Sequence, residues 1–223
     1  MTYKANEGEE RSGKVYDDIE DLDAILSFPP EALHRKVDMI ISDLAQAKPD
    51  LIKVAIVAPP GLHGVGRGPI NTRGMVVPVL YDYMIKAGHA FITEPYCVAD
   101  NLHVYDLSRM FVLLLEDAET GGKRGDWGRD GYYFLETGRI YWKDIMDRLA
   151  QEGVSNGLIP TAELQVYDAA KIGEAIGPFA AMLATNSRSV ASRARKTLGW
   201  EPQEKGVVDS VKEAVDIEVR RNK

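Results

Sequence analysis

Residues 52–58, IKVAIVA, form a β-branched, nearly continuous apolar run, and the chain passes from it straight into PPGLHGVGRGP, with four glycines between positions 61 and 68. Such a run suits a strand covered on both faces, the parallel-sheet situation, because no polar alternation marks an exposed face. Upstream, Leu33, Val37, Ile40, Ile41, Leu44 and Ala45 recur at spacings of three and four. That predicts an amphipathic helix over 31–47, entered after Pro29-Pro30 and stopped at Lys48-Pro49-Asp50. Helix, short turn, buried strand and glycine loop in succession is the rhythm of an α/β doubly wound fold.

Downstream the pattern predicts a helix at about 73–87, stopped by Gly88, and a third at 106–118 with Leu107, Met110, Phe111, Leu114 and Leu115 on its apolar face. Residues 89–104 are irregular, GGKRGDWGRDG is a surface loop, and GYYFLE is a short strand. The last third is mainly helical, at about 141–151, 163–174, 177–184, 189–197 and 207–220. Residues 1–30 are an acidic, partly ordered lead-in with short helices and no buried strand. The basic stretch RSVASRARK either pairs with that lead-in or faces solvent. No linker divides residues 31–223 into independent domains.

Composition matters mainly for what it excludes. With 223 residues, 45% of them hydrophobic, the chain can bury a substantial core. A net charge of −7 argues against a nucleic-acid partner, since phosphate neutralisation needs a basic surface. The longest apolar tract, MFVLLL at 110–115, is far too short for a membrane span. The opening residues are polar and acidic, without the apolar core of a secretory leader, and the one cysteine, Cys97, precludes an intrachain disulfide. A cytoplasmic protein is the expectation. The four histidines show no metal-ligand spacing, so no metal site is expected.

The glycines of the loop could cradle a phosphate, line a substrate cleft, or only turn the chain. Gly61 to Gly68 has the glycine spacing of a phosphate-binding loop, but arginine replaces its lysine, no hydroxyl follows, and Pro69 intervenes before any helix. Arg67 and Arg73 could clamp an anionic substrate bidentately, or could be surface arginines near a turn.

Taken in order, PPGLHGVGRGP after a buried strand, NLHVYDL leading into a helix, GYYFLE as the next strand and LGWEP before a final helix are similar to a known family. The chain resembles the C-terminal half of extended short-chain dehydrogenases/reductases, the NAD-dependent epimerase/dehydratase group, and most of all its fungal branch. The resemblance covers about residues 10–220. It implies a partial Rossmann-like sheet lacking the N-terminal βα units, with an interleaved, mainly helical substrate lobe. In that family the loop lines the cleft beside the nicotinamide of NAD or NADP, which would place Pro59, Pro60, Gly61, Leu62 and His63 there. The N-x-H-V-x-D-L element packs under the cleft, with Asn101, His103, Val104, Asp106 and Leu107 at its positions; Asn101 and His103 become candidate substrate contacts with Arg67 and Arg73.

The sequence also departs from the family pattern. No GxxGxxG turn follows a strand, so the pyrophosphate anchor of a dinucleotide is not encoded here. The family's catalytic tyrosine and lysine, four residues apart on one helix, correspond to His34 and Asp38. These form either a proton relay or a helix-surface pair. His63 stands where family loops carry a tyrosine. Two functions follow: an atypical NAD(P)-linked reductase, epimerase or dehydratase acting on a small organic molecule, or a non-catalytic remnant serving as a binding or scaffold domain. The branch resembled suggests a place in secondary metabolism. An incomplete parallel sheet would expose an apolar strand edge, calling for a homodimer or a partner chain to cover it.

Overall fold

The strands pair in small separate ladders. β1 (Tyr3–Lys4) runs antiparallel to β10 (Thr185–Asn186), and β2 (Tyr16–Asp17) parallel to β11 (Ser189–Val190). β3 (Ile56–Ala58) lies parallel to β7 (Tyr132–Phe134), and β5 (Phe91–Thr93) parallel to β9 (Gln165–Tyr167). A three-stranded sheet joins β4 (Gly61–His63), β6 (Val98–His103) and β8 (Gly138–Tyr141), with β4 parallel and β8 antiparallel to β6. This computed structural model describes residues 3–4, 14–49, 51–93, 97–179, 183 and 185–222.

Helices fill the spaces between these ladders. They are α1 (Leu22–Leu26), α2 (Arg35–Ala47), α3 (Val76–Ala87), α4 (Val104–Glu119), α5 (Trp142–Ser155), α6 (Ala169–Ile176) and α7 (Val207–Arg221). Two apolar cores result. One gathers α3, α5, α6, α7, β5 and β9 around Met84, Phe91, Ile145, Met146 and Val211. The other gathers β7, α1 and α4 around Tyr133, Leu135, Ile25, Met110 and Trp200. The β4–β6–β8 sheet contributes to both, through Ala99 and Leu102 respectively.

Several elements differ from the sequence pattern, each for a local reason. The helix expected from residue 31 begins at Arg35, because His34 adopts a left-handed backbone (φ 65°) and breaks the helical path. The strand expected over 52–58 is limited to Ile56–Ala58, since β7 offers only three partners; its residues are half-buried rather than covered on both faces. The helix expected over 163–174 divides into β9 and α6, with Asp168 capping α6 by accepting from Lys171 N at 2.8 Å. The helix expected over 189–197 becomes β11 and a π-helical turn, Ala194–Leu198. That expected over 177–184 is a 3-10 turn at Gly177–Phe179, and most of its remainder lies outside the described residues.

The acidic lead-in is also corrected. Tyr16, in β2, is only 5% exposed, and Leu22 and Ile25 join the second core. Asp18 is fully buried and accepts from Phe134 N at 2.9 Å and Arg193 N at 2.8 Å. Of the two readings of the basic stretch, the structure shows pairing with the lead-in: Ser192 donates to Asp17, and the Arg193 guanidinium donates to the Asp18 carbonyl at 2.8 Å. Among the described residues no helix is long and apolar enough to cross a membrane, and no cluster of histidine, cysteine and acidic residues could hold a metal ion.

Candidate active-site cleft

The parallel pairing of β4 with β6 places Gly61 opposite Asn101, Leu62 opposite Leu102 and His63 opposite His103. Both strands end at a histidine, so two imidazoles stand side by side at the carboxyl ends of adjacent parallel strands. Open α/β folds bind ligands at that edge. The rings meet edge to face, 5.1 Å between centroids, and His103 meets Tyr105 in the same way at 4.7 Å. They border a cavity of about 190 Å³ between the 63–74 loop and α7.

His103 ends β6 and caps α4, its Nδ1 accepting from Tyr105 N at 3.2 Å. An accepting Nδ1 leaves the proton on Nε2, which is therefore a donor. His103 packs directly over Gly64, where a built Cβ would fall on Nε2, and Gly64 itself has φ +88°. Glycine is required there on both counts.

His63 is 2% exposed, and neither ring nitrogen has a hydrogen-bond partner. Its polar neighbour Asn101 makes its well-formed bonds elsewhere, Nδ2 donating to Gly138 O at 2.9 Å and Oδ1 accepting from Val207 N at 3.1 Å, and offers His63 only a weak contact that partly offsets the fall in its pKa. Burial, reinforced by His103, lowers the His63 pKa to about 4, and burial lowers that of His103 too. Both rings are neutral at pH 7. His103 can therefore donate to a ligand oxygen through Nε2, and His63, neutral and buried, is a poor general base.

NLHVYDL and LGWEP meet at Asp106. Fully buried in the first turn of α4, Asp106 accepts from Gln203 N at 2.8 Å and Glu204 N at 3.2 Å and pairs with Arg109, while its carbonyl accepts from Trp200 Nε1 at 3.0 Å. This carboxylate brings Glu204 and Lys205 to the cavity mouth. Arg73 holds the other wall: its Nε lies 3.1 Å from both Glu218 oxygens, and its Nη2 lies 2.7 and 2.8 Å from those of Asp82. It ties the glycine loop to α3 and α7. Arg67 instead stacks on the Tyr105 ring, 4.0 Å from its centroid.

The cavity thus brings His63, His103, Arg67 and Arg73 together. Asn101 supports it from below. Pro59, Pro60, Gly61 and Leu62 lead into His63 without lining the cavity. His34 and Asp38 are elsewhere. His34 is exposed at the start of α2, and Asp38 accepts from the Tyr132 hydroxyl at 3.3 Å, so among the described residues no side-chain hydrogen bond joins the two. Sequence reasoning missed Tyr105, Glu213 and Lys205. Tyr105, two residues past His103 at a strand-to-helix junction, was the recoverable one.

The chain is 29% identical over 201 residues to the oxidase ucsJ of an Acremonium species, covering 86% of this chain and 58% of that protein. Its structure superposes on a dTDP-glucose 4,6-dehydratase from Streptomyces venezuelae, solved with NAD, with a TM-score of 0.63 at 14% identity, covering 99% of this chain and 57% of that one. A UDP-glucuronic acid 4-epimerase from Bacillus cereus, also solved with NAD, gives 0.59 at 12% identity, covering 99% and 61%. The fold is that of the C-terminal part of an NAD-dependent epimerase/dehydratase. No family model matches the chain. This chain spans a little under three-fifths of the oxidase and of the dehydratase.

Helix N-termini decide whether these residues of the epimerase/dehydratase fold suit a dinucleotide, since pyrophosphate is held by free N–H groups there. His103 caps α4, Asp168 caps α6, and Asn101 takes the first N–H of α7. Asp38 and Asp144 occupy the first turns of α2 and α5. α3 has no acid in its first turn, but it follows the long 64–75 loop instead of a tight glycine turn, and Pro78 removes an N–H. Among the described residues there is no fit for the pyrophosphate.

Proposed function

We propose that this chain supplies the substrate side of an atypical NAD(P)-linked epimerase/dehydratase- or reductase-like oxidoreductase acting on a small organic molecule. The observation that carries this reading is the neutral His63/His103 pair at the carboxyl ends of β4 and β6, bordering the cavity. His103 Nε2 donates to a hydroxyl or carbonyl oxygen placed there, and the buried His63 ring packs behind it and fixes its orientation. NAD or NADP would supply the hydride chemistry. Its phosphate end would be met outside the residues described here, on a further segment or a second chain. A cytoplasmic setting and a role in secondary metabolism belong to the same proposal.

The second reading, a non-catalytic or partner-dependent binding domain, is favoured by one observation: α2, the helix matching the family's catalytic pair, places His34 in solvent and Asp38 against Tyr132. Titration of the purified chain with NADH and NADPH, followed by nicotinamide fluorescence, separates the two. Weak binding through the nicotinamide end alone, in the millimolar range and lost in His103→Asn, is the outcome expected of the oxidoreductase. No change in nicotinamide fluorescence up to about ten millimolar cofactor leaves the binding domain.

A further inference from the structure

The charges around the cavity are almost fully matched. Arg73 is held by Glu218 and Asp82, Arg221 by Glu218 at 3.2 Å, and Lys205 by Glu213 at 2.6 Å. Glu204 pairs with Arg109 at 3.3 Å. Among the described residues, Arg67 is the lining cation without a carboxylate partner. Its guanidinium face rests on Tyr105, a geometry that leaves the N–H edges able to form two parallel hydrogen bonds to a carboxylate.

His103 lines the same cavity, and with Nδ1 occupied by Tyr105 N its Nε2 carries the proton and is a donor. Behind it His63 is buried and neutral, which keeps a second positive charge out of the site. Val77, Pro78, Ala214 and Ile217 supply apolar wall. The volume of about 190 Å³ accommodates one ring with a few substituents, by comparison with the ~150 Å³ cavities that hold benzene.

We propose that the cavity selects a small monocarboxylate bearing a hydroxyl or carbonyl oxygen at its far end, with the carboxylate on Arg67 and that oxygen on His103 Nε2. This deepens, and rests on, the reading of the cavity as a substrate site. It excludes nucleoside diphosphates from this cavity. A diphosphate carries at least two negative charges and would face one uncommitted cation and three glutamates, Glu204, Glu213 and Glu218.

The test is calorimetric titration of the chain, without cofactor, with 3-hydroxybenzoate, resorcinol and UDP. The first two share a ring and a hydroxyl, and resorcinol carries a second, uncharged hydroxyl where 3-hydroxybenzoate has its carboxylate. 3-Hydroxybenzoate should bind about ten-fold more tightly than resorcinol, the scale of one charge-assisted hydrogen-bond pair at a partly exposed site, and UDP should not bind. Arg67→Gln should erase the preference, and His103→Asn, which keeps an acceptor for the cap of α4 but removes Nε2, should weaken both ring probes. UDP binding as tightly as 3-hydroxybenzoate, a preference that survives Arg67→Gln, or no binding of either ring probe would overturn the proposal. Because cofactor is absent, failure here is distinct from failure to bind NADH, which bears on the oxidoreductase reading.

Discussion

Replacing His63 with leucine should stabilise the protein while impairing its site, and the size of the effect follows from the structure. A buried neutral imidazole with both nitrogens unpartnered costs about 1–3 kcal/mol relative to an apolar side chain of similar volume. Leucine adds little bulk, and the adjoining cavity accommodates the difference. For a domain of this length, 2 kcal/mol corresponds to about 4–8 °C in Tm. A second contribution depends on pH. The folded pKa of His63 is lowered to about 4 against 6.5 for the free side chain. Between those values the unfolded chain binds a proton that the folded chain does not, so stability is lost as pH falls from about 6.5 towards 4. At pH 5 that loss is about 2 kcal/mol, and His63→Leu does not suffer it. Urea denaturation followed by tryptophan fluorescence at pH 8 and pH 5 measures both contributions. The variant should exceed the wild type at pH 8, and the gap should roughly double at pH 5. A variant no more stable than the wild type at pH 8, or a gap independent of pH, would refute the claim that His63 is buried neutral and unpartnered.

Three further outcomes are expected. Gly64→Ala places a Cβ on the His103 ring at φ +88° and should cost about 2–4 kcal/mol, read as a fall in Tm, with loss of ring-probe binding. Asp106→Ala leaves Arg109 with Glu204 alone and strands the N–H groups of Gln203 and Glu204; it should cost about 3–5 kcal/mol in denaturation, with a shift in emission from Trp200, whose indole N–H bonds the Asp106 carbonyl. Light scattering should show a homodimer or larger assembly that Ile40→Lys shifts towards monomer. Among the described residues β3 pairs on one edge alone, and α2, which meets β7 through Asp38 and Tyr132, together with the residues just before it exposes Leu33 (78%), Val37 (57%) and Ile40 (69%).

Local patterning made much of the fold legible. The spacing of Val76, Val79, Leu80, Tyr83 and Met84 predicts α3; the helix forms there, with Tyr81 buried in place of Tyr83, and Gly88 is its left-handed C-cap. The α/β class and the order of the cleft elements followed from where the apolar runs and glycine loops lie. What local reading could not give was set by long-range contacts. Tyr16 and Asp18 look like solvated acidic sequence, and only the remote Phe134 and Arg193 amides make burial of Asp18 tolerable. The candidate site divides in the same way. His63 and His103 were nameable individually, but their adjacency comes from a strand register linking positions forty residues apart. Arg67 and Arg73 looked equivalent in sequence, and only Glu218, at the far end of the chain, distinguishes them. His34 and Asp38 were suggested by a spacing of four, which presumes both lie on a helix; the left-handed backbone at His34 removes that premise.

The central proposal is that ligand binds beside the His63/His103 pair and not at His34. Side-chain ¹H–¹⁵N NMR of histidine-labelled protein, recorded during addition of 3-hydroxybenzoate and then NADH, tests it most directly. The signals of His63 and His103 should move together and saturate, while that of His34 stays fixed. Fixed His63 and His103 signals with a moving His34 would contradict the account.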